Sequence, residues 1–261
     1  MSMPMFAAGS DPGANFGELL RRVGLSPFDS VVIDNDLVIP HATTCVAMRC
    51  KDGVVMAGDR RATSGHLISH RSMEKVVQAD EFSGVAIAGA AGPAMEMIKL
   101  FQLQLEHYEK VEGQTLSLEG KANQLSMFVR NNLPAAMQGL VVVPIFAGFD
   151  FFSQTGRLWD YDVTGGRYEE KDFVATGSGM LHAGTVMRVA WRRDLAVDDA
   201  VKLCARALWE ASDADSATGG PDALRNIYPL IASITRGGWS PVADEVLAKI
   251  YKDIAKEVGA R

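Results

Sequence analysis

His41-Ala42-Thr43-Thr44-Cys45-Val46-Ala47-Met48 opens the first strongly apolar run of the chain, and Gly58-Asp59-Arg60-Arg61 and Lys75 follow it downstream. The run from Thr43 to Cys50 is β-branched and apolar, and so is Val54 to Gly58. Lys51-Asp52-Gly53 lies between them, and its Asp-Gly pair signals a tight antiparallel turn. A strand that begins at two threonines, followed by an Asp and a Lys, raises a specific chemical expectation. A threonine hydroxyl inside a chain is a poor nucleophile because nothing nearby takes its proton. If the bond between Ala42 and Thr43 is cut, the freed α-amine, with an ordinary pKa of roughly 7.7 to 8.0, sits a few bonds from the same residue's Oγ and can serve as its base. An ammonium at Lys75 balanced by the Asp59 carboxylate would lower that amine's pKa and stabilise charge growing on Oγ.

Each residue has a plainer reading. Threonine at a strand start is ordinarily a β-former, Asp after Gly a turn, and Lys a solvated cation. Neighbouring strand residues point to opposite faces, so only one of Thr43 and Thr44 can face a site.

The joint pattern resembles the β-type subunits of proteasome core particles, of the bacterial kind found in actinobacteria. The matching residues are Thr43-Thr44, the run Gly53-Val54-Val55-Met56-Ala57-Gly58-Asp59-Arg60-Arg61-Ala62-Thr63, Lys75, Ile87-Ala88-Gly89 and Leu105-Glu106-His107-Tyr108-Glu109-Lys110. Gly177-Ser178-Gly179 and Asp215-Ser216-Ala217-Thr218-Gly219-Gly220-Pro221-Asp222 complete them, so the likeness runs from residue 43 to about residue 235. The resemblance implies Thr43 as nucleophile, Asp59 and Lys75 as its polarising pair, and the Gly89 N–H as oxyanion donor. It implies Ser178, Asp215 and Thr218 as the groups that hold the terminal amine and an ordered water. Thr63, Gly89 and Ala91 match places where extended substrate pairs with the enzyme as an added strand. Ala62, Met73, Val77, Ile87, Ala91 and Met95 match the pocket for the side chain before the cut bond, and all six are apolar. Selection of Thr43 over Thr44 also comes from the family pattern. Two residues depart from it. Ala42 stands where the family usually has Gly, which predicts slower self-cleavage because a Cβ hinders a tight turn; Thr218 stands where Ser is commoner but keeps the hydroxyl.

Residues 1–42 differ from the rest, rich in Met, Gly, Pro and Ser with a short helical stretch near Phe16 to Val23. They read as a propeptide removed on maturation, leaving 43–261 as the peptidase domain. Short strands are expected at Leu67 to Ser69, Lys75 to Gln78 and Gly84 to Ala90, in one antiparallel sheet with the first two. Helices are expected from Gly92-Pro93 to Gly113 and from Leu118 to Asn132. Strands return at Leu140 to Phe151, where Pro144 favours an edge or bulge, at Leu158 to Val163 and at Tyr168 to Ala175. Helices at Met180 to Arg192 and Val197 to Ser212, a strand at Asn226 to Thr235 and a helix at Pro241 to Val258 close the chain. Two strand blocks, each with a helix pair, suggest an α+β fold of two stacked antiparallel sheets. The four-layer αββα sandwich of N-terminal nucleophile hydrolases is what the resemblance adds.

With 26 basic against 32 acidic residues the formal charge is −6, which argues against a general nucleic-acid surface. Hydrophobic content of 48% is ample for a buried core. Cys45, Cys50 and Cys204 show neither CxxC spacing nor an even count, and the five histidines show no ligand spacing, so neither a disulfide framework, a metal nor a cofactor is expected. No span approaches the roughly 18 apolar residues of a membrane helix, and the expected compartment is the cytoplasm. The resemblance implies α-type partners, other β subunits in heptameric rings, an ATP-dependent unfoldase and unfolded protein substrates. Alternatives are a non-catalytic ring subunit that keeps its leader, a two-ring bacterial threonine protease, and a small-molecule amidase with the same type of nucleophile.

Overall fold

The computed structural model describes residues 43–64 and 66–259. The expected propeptide, its helical stretch near Phe16 to Val23, and Ala42 lie outside them. Four layers stack as helices, sheet, sheet, helices. The first sheet has strand order β10-β1-β2-β11-β12, built from β1 (Thr44–Cys50), β2 (Gly53–Gly58), β10 (Phe173–Gly177), β11 (Leu230–Thr235) and β12 (Gly238–Pro241). The second runs β5-β6-β7-β8-β9, from β5 (Val76–Asp80), β6 (Ser83–Gly89), β7 (Val142–Asp150), β8 (Thr155–Tyr161) and β9 (Arg167–Glu170). A separate ribbon pairs β3 (Ala62–Ser64) with β4 (Leu67–His70). The helices are α1 (Ala91–Glu112), α2 (Leu118–Asn131), the single turn α3 (Leu133–Ala136), α4 (Met180–Ala190), α5 (Val197–Ala214) and α6 (Asp244–Gly259).

Strand alternation makes this a sandwich. In β1, Val46, Met48 and Cys50 face the helices and pack with Ala183, Met187, Cys204, Leu208 and Tyr251. The intervening Cys45 and Ala47 face the other sheet and meet Val76, Ala86 and Ala147. The same rule places Val85 and Ile87 of β6 against Met97, Ile98 and Phe101 of α1 and Leu125 of α2, while Ala86 points between the sheets. Both faces of the central strands are therefore apolar, and the residues between the sheets include small ones that let the sheets approach closely.

The expected single sheet for the first five strands is wrong. β1 and β2 belong to the first sheet, β5 and β6 to the second, and β4 to the ribbon. Each sheet is completed from later sequence, because β10 and β11 flank β1 and β2 while β7 extends β6. β3 and β12 were not expected as strands, being a three-residue and a glycine-led four-residue segment respectively. Pro144 lies in a central strand, yet at its position β7 pairs only with Ile87 of β6, and pairing to β8 begins at Ile145. It thus occupies a locally one-sided stretch where a missing N–H costs no ladder bond. The first helix ends as its sequence suggests: Gly113 takes φ of +67° and its N–H bonds to the Glu109 carbonyl. Ser117 caps α2 by accepting from the Gly120 N–H.

Candidate active site

The start of β1, the ends of β2, β6 and β10, and the start of β5 all lie at one end of the sandwich, because antiparallel neighbours alternate direction. Thr43 precedes β1, Asp59 follows β2, Lys75 precedes β5, Gly89 ends β6 and Ser178 follows β10. The loop after α5 supplies Asp215 and Thr218. Residues far apart in sequence are thus gathered by strand ends.

The centre is a buried ion pair. Lys75 Nζ lies 2.7 Å from Asp59 Oδ1, and the two side chains are 1% and 0% exposed. Asp59 is saturated with donors. Oδ1 also accepts the Thr44 N–H at 2.9 Å, and Oδ2 accepts the backbone N–H groups of Arg61 at 2.9 Å and Gly219 at 2.8 Å. Lys75 Nζ donates further to the Arg61 carbonyl at 2.5 Å. Such saturation is what permits two charges to sit out of water.

Thr43 is itself buried, at 4% exposure, and by alternation it continues the row of Cys45 and Ala47 that faces the second sheet. Its carbonyl accepts the Ser178 N–H at 2.8 Å. Gly177, directly before, has φ of +98°, and a Cβ there would stand 1.8 Å from the Thr43 carbonyl oxygen. Only glycine allows β10 to end against that carbonyl. Gly89 is a second enforced glycine, with φ of +119° and a Cβ position 2.0 Å from the Val141 carbonyl oxygen.

Asp215 collects the remaining hydroxyls. Its Oδ2 accepts from Ser178 Oγ at 2.5 Å and Thr218 Oγ1 at 2.6 Å, and its Oδ1 accepts the Ala217 N–H at 3.0 Å. Partial burial pushes the Asp215 carboxyl up, but the bonds from Ser178, Thr218 and Ala217 outweigh it and hold the group below the usual carboxylate value. Cys45, adjacent in the same strand, is no rival nucleophile. Burial pushes its thiol up to about 12 even though Lys75 is near, so it stays protonated at neutral pH.

Three of the expected pocket residues converge. Ile87 is 3% exposed, and the half-buried Val77 and Met95 pack on the same apolar cluster between the second sheet and α1. Ala91 is exposed at the first residue of α1, just beyond Gly89. Ala62 and Thr63 stand on the ribbon instead, and Met73 is tied by its N–H to the Arg60 carbonyl at 3.1 Å.

Arg61, Gly179, Gly219 and Thr44 also complete the geometry, though none was among the expected site residues. Arg61 acts through its backbone, which leaves no trace in residue type, and so do Gly179 and Gly219. Thr44 points to the face opposite Thr43, and the family pattern selects Thr43 of the two. Thr44 is nonetheless a fully buried hydroxyl in the helix-facing row of β1, and such a group needs partners.

The proteasome subunit family model matches residues 39–224. A proteasome subunit beta of Acidimicrobium ferrooxidans is 50% identical, over 100% of this chain and 97% of its own length. One of Streptomyces griseus is 54% identical over 82% of this chain and 76% of its own, and one of Acidothermus cellulolyticus is 52% identical over 83% and 76%. Among the described residues no helix is long and apolar enough to cross a membrane. With its two-sheet sandwich, its strand-end cluster and relatives that match it over most of its length, the chain belongs to the proteasome subunit family, among the β-type members.

Proposed function

We propose that the chain is a catalytic β subunit, a threonine endopeptidase whose nucleophile is Thr43 once residues 1–42 have been removed. One observation supports this most: a single carboxylate oxygen, Asp59 Oδ1, accepts from both Lys75 Nζ and the Thr44 N–H. The ammonium and the peptide that follows Thr43 are thereby held on one atom. A charge pair kept at the start of β1 against its desolvation cost is placed where it can polarise Thr43, the residue just before that strand.

In this reading the proton of Thr43 Oγ passes to the freed amine as Oγ attacks the scissile carbonyl. The oxyanion is met by the Gly89 N–H. The C–N bond breaks as the amine of Thr43 returns the proton to the leaving nitrogen, and an ester remains on Oγ. Water, deprotonated by the same amine, then attacks the ester; Oγ leaves with that proton and the carboxylic acid product departs. Ser178, Asp215 and Thr218 hold the amine, and Lys75 stabilises charge on Oγ. Substrate lies extended along Thr63, Gly89 and Ala91. The further reading comprises heptameric β rings stacked on α-type rings, an ATP-dependent unfoldase that supplies unfolded chains, and a cytoplasmic setting.

Val77, Ile87 and Met95, with Ala62, Met73 and Ala91, would give an apolar pocket without a charge. Particles assembled with an α-type partner are therefore expected to cleave fluorogenic peptides after bulky hydrophobic residues, with kcat/KM about 10-fold or more above that for acidic or basic residues at the same place. A preference for charged residues there would contradict the pocket assignment.

A further inference from the structure

Thr44 neighbours the proposed nucleophile but turns its side chain to the opposite face, toward α5 and the loop that follows it. Its Oγ1 is 0% exposed along with the rest of the residue, accepts the Gly179 N–H at 3.0 Å, and lies 2.5 Å from Thr218 Oγ1, itself fully buried. The direction of that last bond follows from counting protons. Thr218 has a single hydroxyl proton and gives it to Asp215 Oδ2, 2.6 Å away. Thr44 must therefore be the donor to Thr218. The result is an oriented chain from the Gly179 N–H through Thr44 Oγ1 and Thr218 Oγ1 to the Asp215 carboxylate, which also accepts Ser178 Oγ–H.

The backbone of the same residue holds the other carboxylate. The Thr44 N–H donates to Asp59 Oδ1 at 2.9 Å and its carbonyl accepts the Asp59 N–H at 3.1 Å. Thr44 thus joins the Asp59–Lys75 pair to the Asp215–Thr218–Ser178 group through its own backbone and side chain, beside the Gly219 N–H that reaches Asp59 from the residue after Thr218. We propose that Thr44 is a positioning residue that couples these two groups, its hydroxyl fixing where Asp215 and Ser178 stand relative to Thr43. This rests on Thr43 being the nucleophile. Bonds in series polarise one another, and the Thr44–Thr218 link is fully buried, so its loss is felt at the Asp215 carboxylate.

Since the Thr44 side chain faces the helix layer, it has no route to substrate. Thr44→Val keeps the shape of the side chain and removes the hydroxyl, leaving the Gly179 N–H without its acceptor and Thr218 Oγ1 without its donor. In assembled particles it is expected to lower kcat about 10- to 30-fold with KM within about 2-fold of the parent, a pattern of lost transition-state positioning. Thr44→Ser, which restores the hydroxyl, should recover kcat to within about 3-fold. If valine is not accommodated and particles do not form, Thr44→Ala removes the same hydroxyl without the second methyl and should show the same loss in kcat. Turnover within 2-fold of the parent in the hydroxyl-free variant overturns the proposal, as does equal loss in Thr44→Ser. Thr43→Ala run in parallel separates the two levels. Full activity there removes the nucleophile assignment itself, whereas an inactive Thr43→Ala beside a fully active Thr44→Val removes only the coupling.

Discussion

Thr43→Ala is expected to reduce peptide hydrolysis by assembled particles about 10³-fold or more, to the background of the assay. The expected size follows from the chemistry assigned to this one residue. Its Oγ forms the acyl bond and its nitrogen moves the proton, so removal of the hydroxyl leaves a base with nothing to activate. Neither of the next two side chains in the strand offers a substitute. The neighbouring Thr44 hydroxyl is committed to Gly179 and Thr218 on the far face of the strand, and the Cys45 thiol is held protonated by burial. Particle assembly should be unaffected, because the Thr43 contact that ends β10 runs through its carbonyl to the Ser178 N–H, which alanine keeps. Hydrolysis of fluorogenic peptides by size-purified particles measures the effect, and turnover near that of the parent would exclude Thr43 as nucleophile.

Lys75→Ala should come close to this, with activity lowered about 10²-fold or more and a loss of stability beside it. Deleting one partner of a buried ion pair commonly costs about 3–5 kcal/mol, because the other charge is left uncompensated. Here the loss should fall toward the lower end, since Asp59 would retain three backbone donors, from Thr44, Arg61 and Gly219. The ammonium's contact with the Arg61 carbonyl would also go, loosening the approach of β5 to the segment after β2. Denaturant titration gives the stability change and peptide hydrolysis the catalytic one. A variant that unfolds more easily yet hydrolyses peptides at the parent rate would confine Lys75 to a structural role.

Elements with strong local chemistry could be read from sequence. The Asp-Gly turn joins β1 to β2, helical spacing from Ala94 to Leu105 becomes the buried face of α1, and Gly113 stops that helix. What sequence did not supply was pairing at a distance. Strand length and alternation cannot reveal that β2 pairs with β11, some 170 residues later, or that β6, with β5 on its other side, pairs with β7 in a second sheet. The main site side chains were named from a family pattern, and the structure gathers Asp59, Lys75, Ser178, Asp215 and Thr218 around the two threonines. The backbone groups of Arg61, Gly179 and Gly219 were not legible, because a main-chain donor or acceptor has the same signature in every residue. Thr44 was legible in principle. A hydroxyl in the helix-facing row that continues with Val46, Met48 and Cys50 asks for a partner.

The central claim is that catalysis requires a free amine on Thr43, and intact-mass measurement with N-terminal sequencing of the β chain from particles actively hydrolysing peptides tests it most directly. A chain that begins at Thr43 is the predicted result. Sustained hydrolysis by particles whose β chains all still carry residues 1–42 joined to Thr43 would contradict it.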